Sequence, residues 1–142
     1  MKKLLNTALA YALAAMAGGV FFREFTKFHG FEGVTVLSTL HVHLFVLGMI
    51  FFLLAALWEK GGRLSAQKRF RLFYGLYNAG LIVTAGALLV RGVLQVLEAP
   101  LDKGPDAALS GIAGLGHILL AAGIVVFFLV LRRAALKPHP AK

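Results

Sequence analysis

Residues 38–58 read "STLHVHLFVLGMIFFLLAALW", a stretch without Asp, Glu, Lys or Arg that carries two histidines, His41 and His43, near its start. An α-helix needs about 20 apolar residues to cross the roughly 30 Å hydrocarbon core of a bilayer. Taken from Val36 to Trp58, this run is long enough. It is too long for a buried strand and lacks the two-residue alternation of a membrane barrel. Three more runs, Leu4–Phe22, Leu72–Leu97 and Ala107–Leu131, read the same way. The connections are short, which favours antiparallel neighbours. The expected fold is therefore all-α: one transmembrane domain over residues 1–142, an integral membrane antiparallel four-helix bundle.

Composition agrees. Of the 142 residues 59% are hydrophobic and 15% charged, and the mean hydropathy is +0.81; a soluble domain has about 45–50% apolar and about 25% charged residues. The chain has no cysteine, which removes disulfides, thiolate metal sites and thiol catalysis. A net charge of +9 can mark nucleic-acid binding, but here the basic residues cluster between apolar runs, where they orient a membrane protein. One side collects Lys2, Lys3, Lys60, Arg63, Lys68, Arg69, Arg71, Arg132, Arg133, Lys137 and Lys142; the other has Arg23, Lys27 and Lys103 beside Glu24, Glu32, Glu98, Asp102 and Asp106. The positive-inside rule then puts both termini in the cytoplasm, with a bacterial inner membrane as the expected multi-pass location. Lys2-Lys3, the apolar run and Ala15-Met16-Ala17 also fit a cleavable signal peptide. The stripe Ala10, Ala14, Gly18 suits helix packing and favours a retained first span. Gly48 and Ala55, then Gly75, Ala79, Gly80 and Gly86, then Gly111, Gly114 and Ala121 read as packing residues on the later spans.

Ionisable residues inside a span are rare and usually functional. Here they are His41, His43, His117 and, near the expected outer surface, Arg91. Counting along the spans puts the three imidazoles at one depth, roughly 10–15 Å into the outer half at 1.5 Å per residue. Two imidazoles from facing helices can take the two axial positions of haem iron, and a bundle core is a common cofactor site. Arg91, with Arg23 and Lys27 just outside, stands where the propionates emerge. His41 and His43, two apart, point about 200° from each other and cannot both bind one iron. The stripe Ser38, His41, Phe45, Gly48, Phe52, Ala55 points His41 inward, whereas depth matching to His117 favours His43; both stay open. A plain interhelical hydrogen bond, worth around 0.6 kcal/mol on average, is the structural alternative for each imidazole. Arg91 can equally snorkel, or pair with Glu24 or Glu98. His29 and His139 read as solvated, and Asn78 as a bond to another helix. No nucleophile–base pair, paired carboxylate or phosphate loop is present, which leaves hydrolytic and phosphoryl chemistry without actors.

"FFREFTKF" (21–28), "LHVHLFVLGMIFFL" (40–53), "YNAGL" (77–81) and "GLGHILL" (114–120) resemble a family of small bacterial four-span membrane proteins known only as domain of unknown function 2871. "LHVHLFVLG" is also distantly similar to the helix of haem-copper oxidase and nitric-oxide-reductase catalytic subunits that gives an axial histidine to a low-spin haem. That resemblance implies haem b at His41 or His43, with His117 opposite. The copper-site histidines and most of the helices of those enzymes are missing. The functional expectation is a cytochrome b-like protein for electron transfer or redox or gas sensing, partnered by lipid and by a redox protein or quinone, and compatible with a homo-oligomer. The alternatives are a non-haem copper or zinc site built from His41, His43 and His117, and a structural or assembly subunit without cofactor.

Overall fold

Leu4, Ala8, Tyr11 and Ala15 recur at steps of three and four residues and form the buried stripe of the first helix, Lys2–Phe28 (α1). In the computed structural model, which describes residues 1–62 and 64–136, three further long helices follow. Arg63, Lys137, His139 and Lys142 lie outside the described residues. The second helix (α2) is continuous but built in three pieces: α-helix Leu37–His43, π-helix Leu44–Ile50 and α-helix Phe51–Gly62. A short 3-10 turn, Leu64–Ala66, leads to Phe70–Val96 (α3), and Lys103–Ala135 forms α4. All four are long and apolar enough to cross a membrane. Each exceeds its apolar run because the helix continues past the hydrocarbon into polar residues, as α1 does through Arg23–Phe28.

Consecutive helices run antiparallel. Tyr11 and Gly18 of α1 face Gly48 and Leu40 of α2. Leu37 meets Gly92 of α3, and Tyr77, Gly80 and Thr84 of α3 meet Gly123, Leu120 and Gly116 of α4. Two of the three reversals use a left-handed residue after the helix, Gly30 (φ 60°) and Glu98 (φ 50°), with the paired bonds of a Schellman end. At the opposite end Glu59 accepts bonds from the backbone and hydroxyl of Ser65, and its carboxylate is 3.7 Å from the Met1 ammonium. The bundle therefore has a terminal end, with Met1, the close of α4 and the turn Leu64–Ala66, and a histidine end, with the first and third loops.

Without a hydrophobic drive in lipid, close backbone approach holds such helices together. A Cβ on Gly80 would lie 2.5 Å from the Leu120 amide nitrogen, and one on Gly116 2.6 Å from Thr84 Oγ1. Gly92 and Gly123 are equally tight against Leu37 and Tyr77. Gly48 and Gly80 thus pack as expected, but Gly75, Gly86, Gly111 and Gly114 face open space. Ala10 and Ala14 also point outward, because the inward stripe of α1 passes through Ala8 and Ala15 instead. The exterior is apolar: Ile82, Leu57 and Ile118 are more than 60% exposed, as a lipid-facing surface requires.

A polar ladder ties α1 to α3 toward the terminal end. Thr7 Oγ1 and the Tyr74 hydroxyl are 2.6 Å apart, the Tyr11 hydroxyl donates to Asn78 Oδ1 at 2.8 Å, and Lys3 Nζ lies 3.7 Å over the Tyr74 ring. Asn78 does bond another helix, as its position in an apolar span leads one to expect. Between them Tyr11, Phe51, Phe52, Phe73, Tyr77 and Phe127 form the aromatic core.

Candidate cofactor site at the histidine end

Helix α2 is fastened to α3 at its start, where Thr35 donates to the Gly92 carbonyl at 3.0 Å and the Val36 amide to Gln95 Oε1 at 2.8 Å. His43 falls between this anchor and the contact of Leu47 with Tyr77. His117 follows Gly116, which packs on Thr84, itself between Gly92 and Tyr77 on α3. Both imidazoles thus lie beside the stretch of α3 between Tyr77 and Gly92, at similar heights in the bundle.

Their ring geometry matches. His43 Nδ1 is 2.9 Å from the Thr39 carbonyl and His117 Nδ1 is 2.8 Å from the Ala113 carbonyl, each four residues back on its own helix. A carbonyl only accepts, so Nδ1 carries the proton, and Nε2 of the neutral ring is left as a lone-pair donor. A bond from Nδ1 to a carbonyl of this kind is what fixes the tautomer and ring direction of ligating histidines. His117 is exposed on α4 and His43 half-buried on α2. The sustained packing of α4 on α2 among the described residues is through the inner piece Phe51–Gly62, with Phe51 and Phe127 rings 5.0 Å apart. At the level of the imidazoles the described residues show no such sustained packing between the two helices.

His41 is placed differently. It lies against α1, with its ring carbons 3.6–3.8 Å from where a Gly19 Cβ would be and its ring stacked on Phe22 at 6.4 Å. Its Nδ1 is buried and has no partner among the described residues. A polar atom left so costs on the order of 1–3 kcal/mol by mutational data. The buried stripe of α2 runs Leu37, Leu40, Leu44, Gly48, Phe52, Ala55, one residue off the expected Ser38–His41–Phe45 line before rejoining it at Gly48. The π turn between His43 and Phe51 causes that offset.

The basic residues around the site are engaged elsewhere. Arg91 Nη2 donates to the Asp106 carboxylate at 2.9 Å and to Ser110 Oγ at 2.8 Å, clamping α3 to α4. Its partner is Asp106, not Glu24 or Glu98. Arg23 is exposed and lies 3.8 Å from Glu24 beside it. Lys27 lines a shallow groove on α1 with Phe21, Glu24, Phe25 and Phe28. His29 bonds the Phe25 carbonyl in the exposed first turn beyond α1. Thr84, fully buried beside Gly116 with Oγ1 unpartnered among the described residues, is a polar residue the sequence alone does not flag. A lone hydroxyl in an apolar run gives no signal until its facing glycine is known.

Among the described residues no three His, Asp or Glu side chains gather where they could hold a metal ion. His41, His43 and His117 thus do not form one coordination sphere within a chain. A porphyrin brings four nitrogens of its own and asks for one or two imidazoles, so the two back-bonded histidines suit it better than a bare metal ion.

Four helices able to cross a membrane define a multi-pass helical membrane protein, with two imidazoles each bonded back to its own helix. The chain belongs to the family described as "Protein of unknown function (DUF2871)", whose profile matches residues 1–134. A search of the curated proteins and one of the solved structures return no match.

Proposed function

We propose that the protein is a membrane haem b protein for electron transfer or redox sensing, with His117 of α4 and His43 of α2 as axial ligands and His41 as the alternative on α2. One observation carries this reading: two imidazoles at similar heights in the bundle, each with Nδ1 committed to its own helix and Nε2 left as a lone-pair donor, on helices without sustained packing there among the described residues. An unpartnered ring nitrogen facing hydrocarbon is costly, and an iron ligand removes that cost. His43 of α2 and His117 of α4 are the residues that would hold the porphyrin. Bound there, haem supplies one-electron redox chemistry.

This chain's residues have three tasks in that chemistry. The Thr39 and Ala113 carbonyls hold the imidazoles in the tautomer that ligates. The glycine contacts of α3 with α4 and the Arg91–Asp106–Ser110 clamp keep His117 at a fixed height. The lipid-like surround excludes water, which disfavours the charged oxidised centre and tunes the potential. Arg91, bonded to Asp106 and Ser110, is the cation of α3 that would meet the propionate charge. A quinone or a redox protein would exchange the electron. A copper or zinc centre draws no comparable support.

The test is spectroscopic. Protein purified in detergent from cells supplied with haem precursor and iron should show a Soret band and sharpened α and β bands on dithionite reduction. A folded, haem-exposed preparation without them contradicts the proposal.

A further inference from the structure

The buried stripe of α2 contains a run of equal steps: Leu40, Leu44, Gly48 and Phe52 are each four residues apart. An α-helix repeats every 3.6 residues, so a straight one would turn that stripe by about 120° over this distance. The π-helix Leu44–Ile50 absorbs the difference. Such segments insert extra backbone into an α-helix and occur often at functional sites. This one begins at the residue after His43.

Both ends of α2 are pinned, which makes the wide turn obligatory. The histidine end is held by Thr35 on the Gly92 carbonyl, Val36 on Gln95, and Leu37 pressed on Gly92. The other piece is held by Phe51 stacked on Tyr77 at 4.1 Å, and the wide turn itself by Gly48 against the Tyr11 ring. The two anchors are out of α-helical register, and the π turn is where the mismatch resides. In its middle, the hydroxyl of fully buried Tyr77 donates to the Leu47 carbonyl at 2.8 Å. A carbonyl bonded sideways by α3 is held off the α-helical ladder, so Tyr77 braces the wide turn.

We infer that Tyr77 is a positioning residue: by bonding the Leu47 carbonyl it holds the π turn that sets the direction of His43 about the α2 axis. The inference rests on the haem reading above, since direction about the axis matters only if the imidazole has an iron to reach. Without the brace, relaxation of Leu44–Ile50 toward α geometry would rotate Leu37–His43 against the inner piece and turn His43 away from its position.

Tyr77→Phe keeps the stack on Phe51 and removes only the hydroxyl. Two measurements on the purified variant separate the two ideas. Amide hydrogen exchange over residues 44–50, read on haem-free protein, should accelerate at least tenfold relative to wild type while the remainder of α2 is unchanged; unchanged exchange overturns the brace. On haem-loaded protein, the low-spin electron paramagnetic resonance g-values and the midpoint potential of the loaded fraction should shift. A merely structural role would lower haem content and leave both unchanged, and that result overturns the inference. If wild type binds no haem, the haem reading fails, the positioning role falls with it, and the exchange arm still decides the brace. Should Tyr77→Phe not assemble, deletion of exposed Val46, which removes one residue from the wide turn and lets it close toward α geometry, should shift the g-values and midpoint potential of the loaded fraction, and unchanged values overturn the inference.

Discussion

At the residue scale, the difference between neighbouring positions on one helix is sharp. His41 and His43 are two apart, yet one is stacked on Phe22 of α1 and the other bonds the carbonyl of Thr39. The sequence displayed the pair and its opposed directions; it could not rank the two, because the ranking depends on how α1 packs, with Gly19 and Phe22 against His41. Glycines divide the same way. Gly116→Ala places a methyl 2.6 Å from Thr84 Oγ1 and 2.9 Å from the Thr84 amide nitrogen, both beyond easy relief. It should lower stability in detergent by roughly 1–3 kcal/mol, the range for overpacking. Gly114→Ala, with nothing within 4 Å, should be neutral or stabilising by up to about 1 kcal/mol through helix propensity. Thermal or denaturant unfolding of the two variants side by side checks this, and equal effects would contradict the packing described.

At the element scale, the four spans were legible because length and polarity in lipid leave few choices. The π turn in α2 was not read, although its trace is present as the four-residue steps from Leu40 to Phe52. Hydropathy averages over that spacing and hides it. The pairing of Arg91 was also out of reach, since Asp106 and Ser110 are brought to it only when α4 packs antiparallel on α3. That ion pair is about one-third exposed at Arg91 and more at Asp106. Its strength should be that of a surface pair, about 0.2–1 kcal/mol. A double-mutant cycle with Arg91→Ala and Asp106→Ala, measured by unfolding in detergent, should give a coupling in that range. A much larger coupling would mean that the clamp is buried in the membrane-embedded protein.

At the scale of the whole molecule, α1 packs along α2, α2 on α3, and α3 most extensively on α4, while the sustained packing of α4 on α2 among the described residues is in the piece Phe51–Gly62. Helix count and order alone do not reveal this unequal packing. The charge pattern predicts the terminal end in the cytoplasm. Single-cysteine variants of this cysteine-free chain make the check simple: Ser65→Cys should be protected from a membrane-impermeant thiol reagent applied to intact cells, and Glu32→Cys labelled. The reverse pattern would invert the topology.

The central claim, haem held by His43 and His117, is met most directly by the reduced-minus-oxidised spectrum of three single variants prepared alongside wild type. His43→Ala and His117→Ala should each abolish the low-spin α band, while His41→Ala should keep it at wild-type position. Retention of the band in His117→Ala, or its loss in His41→Ala alone, would contradict the account.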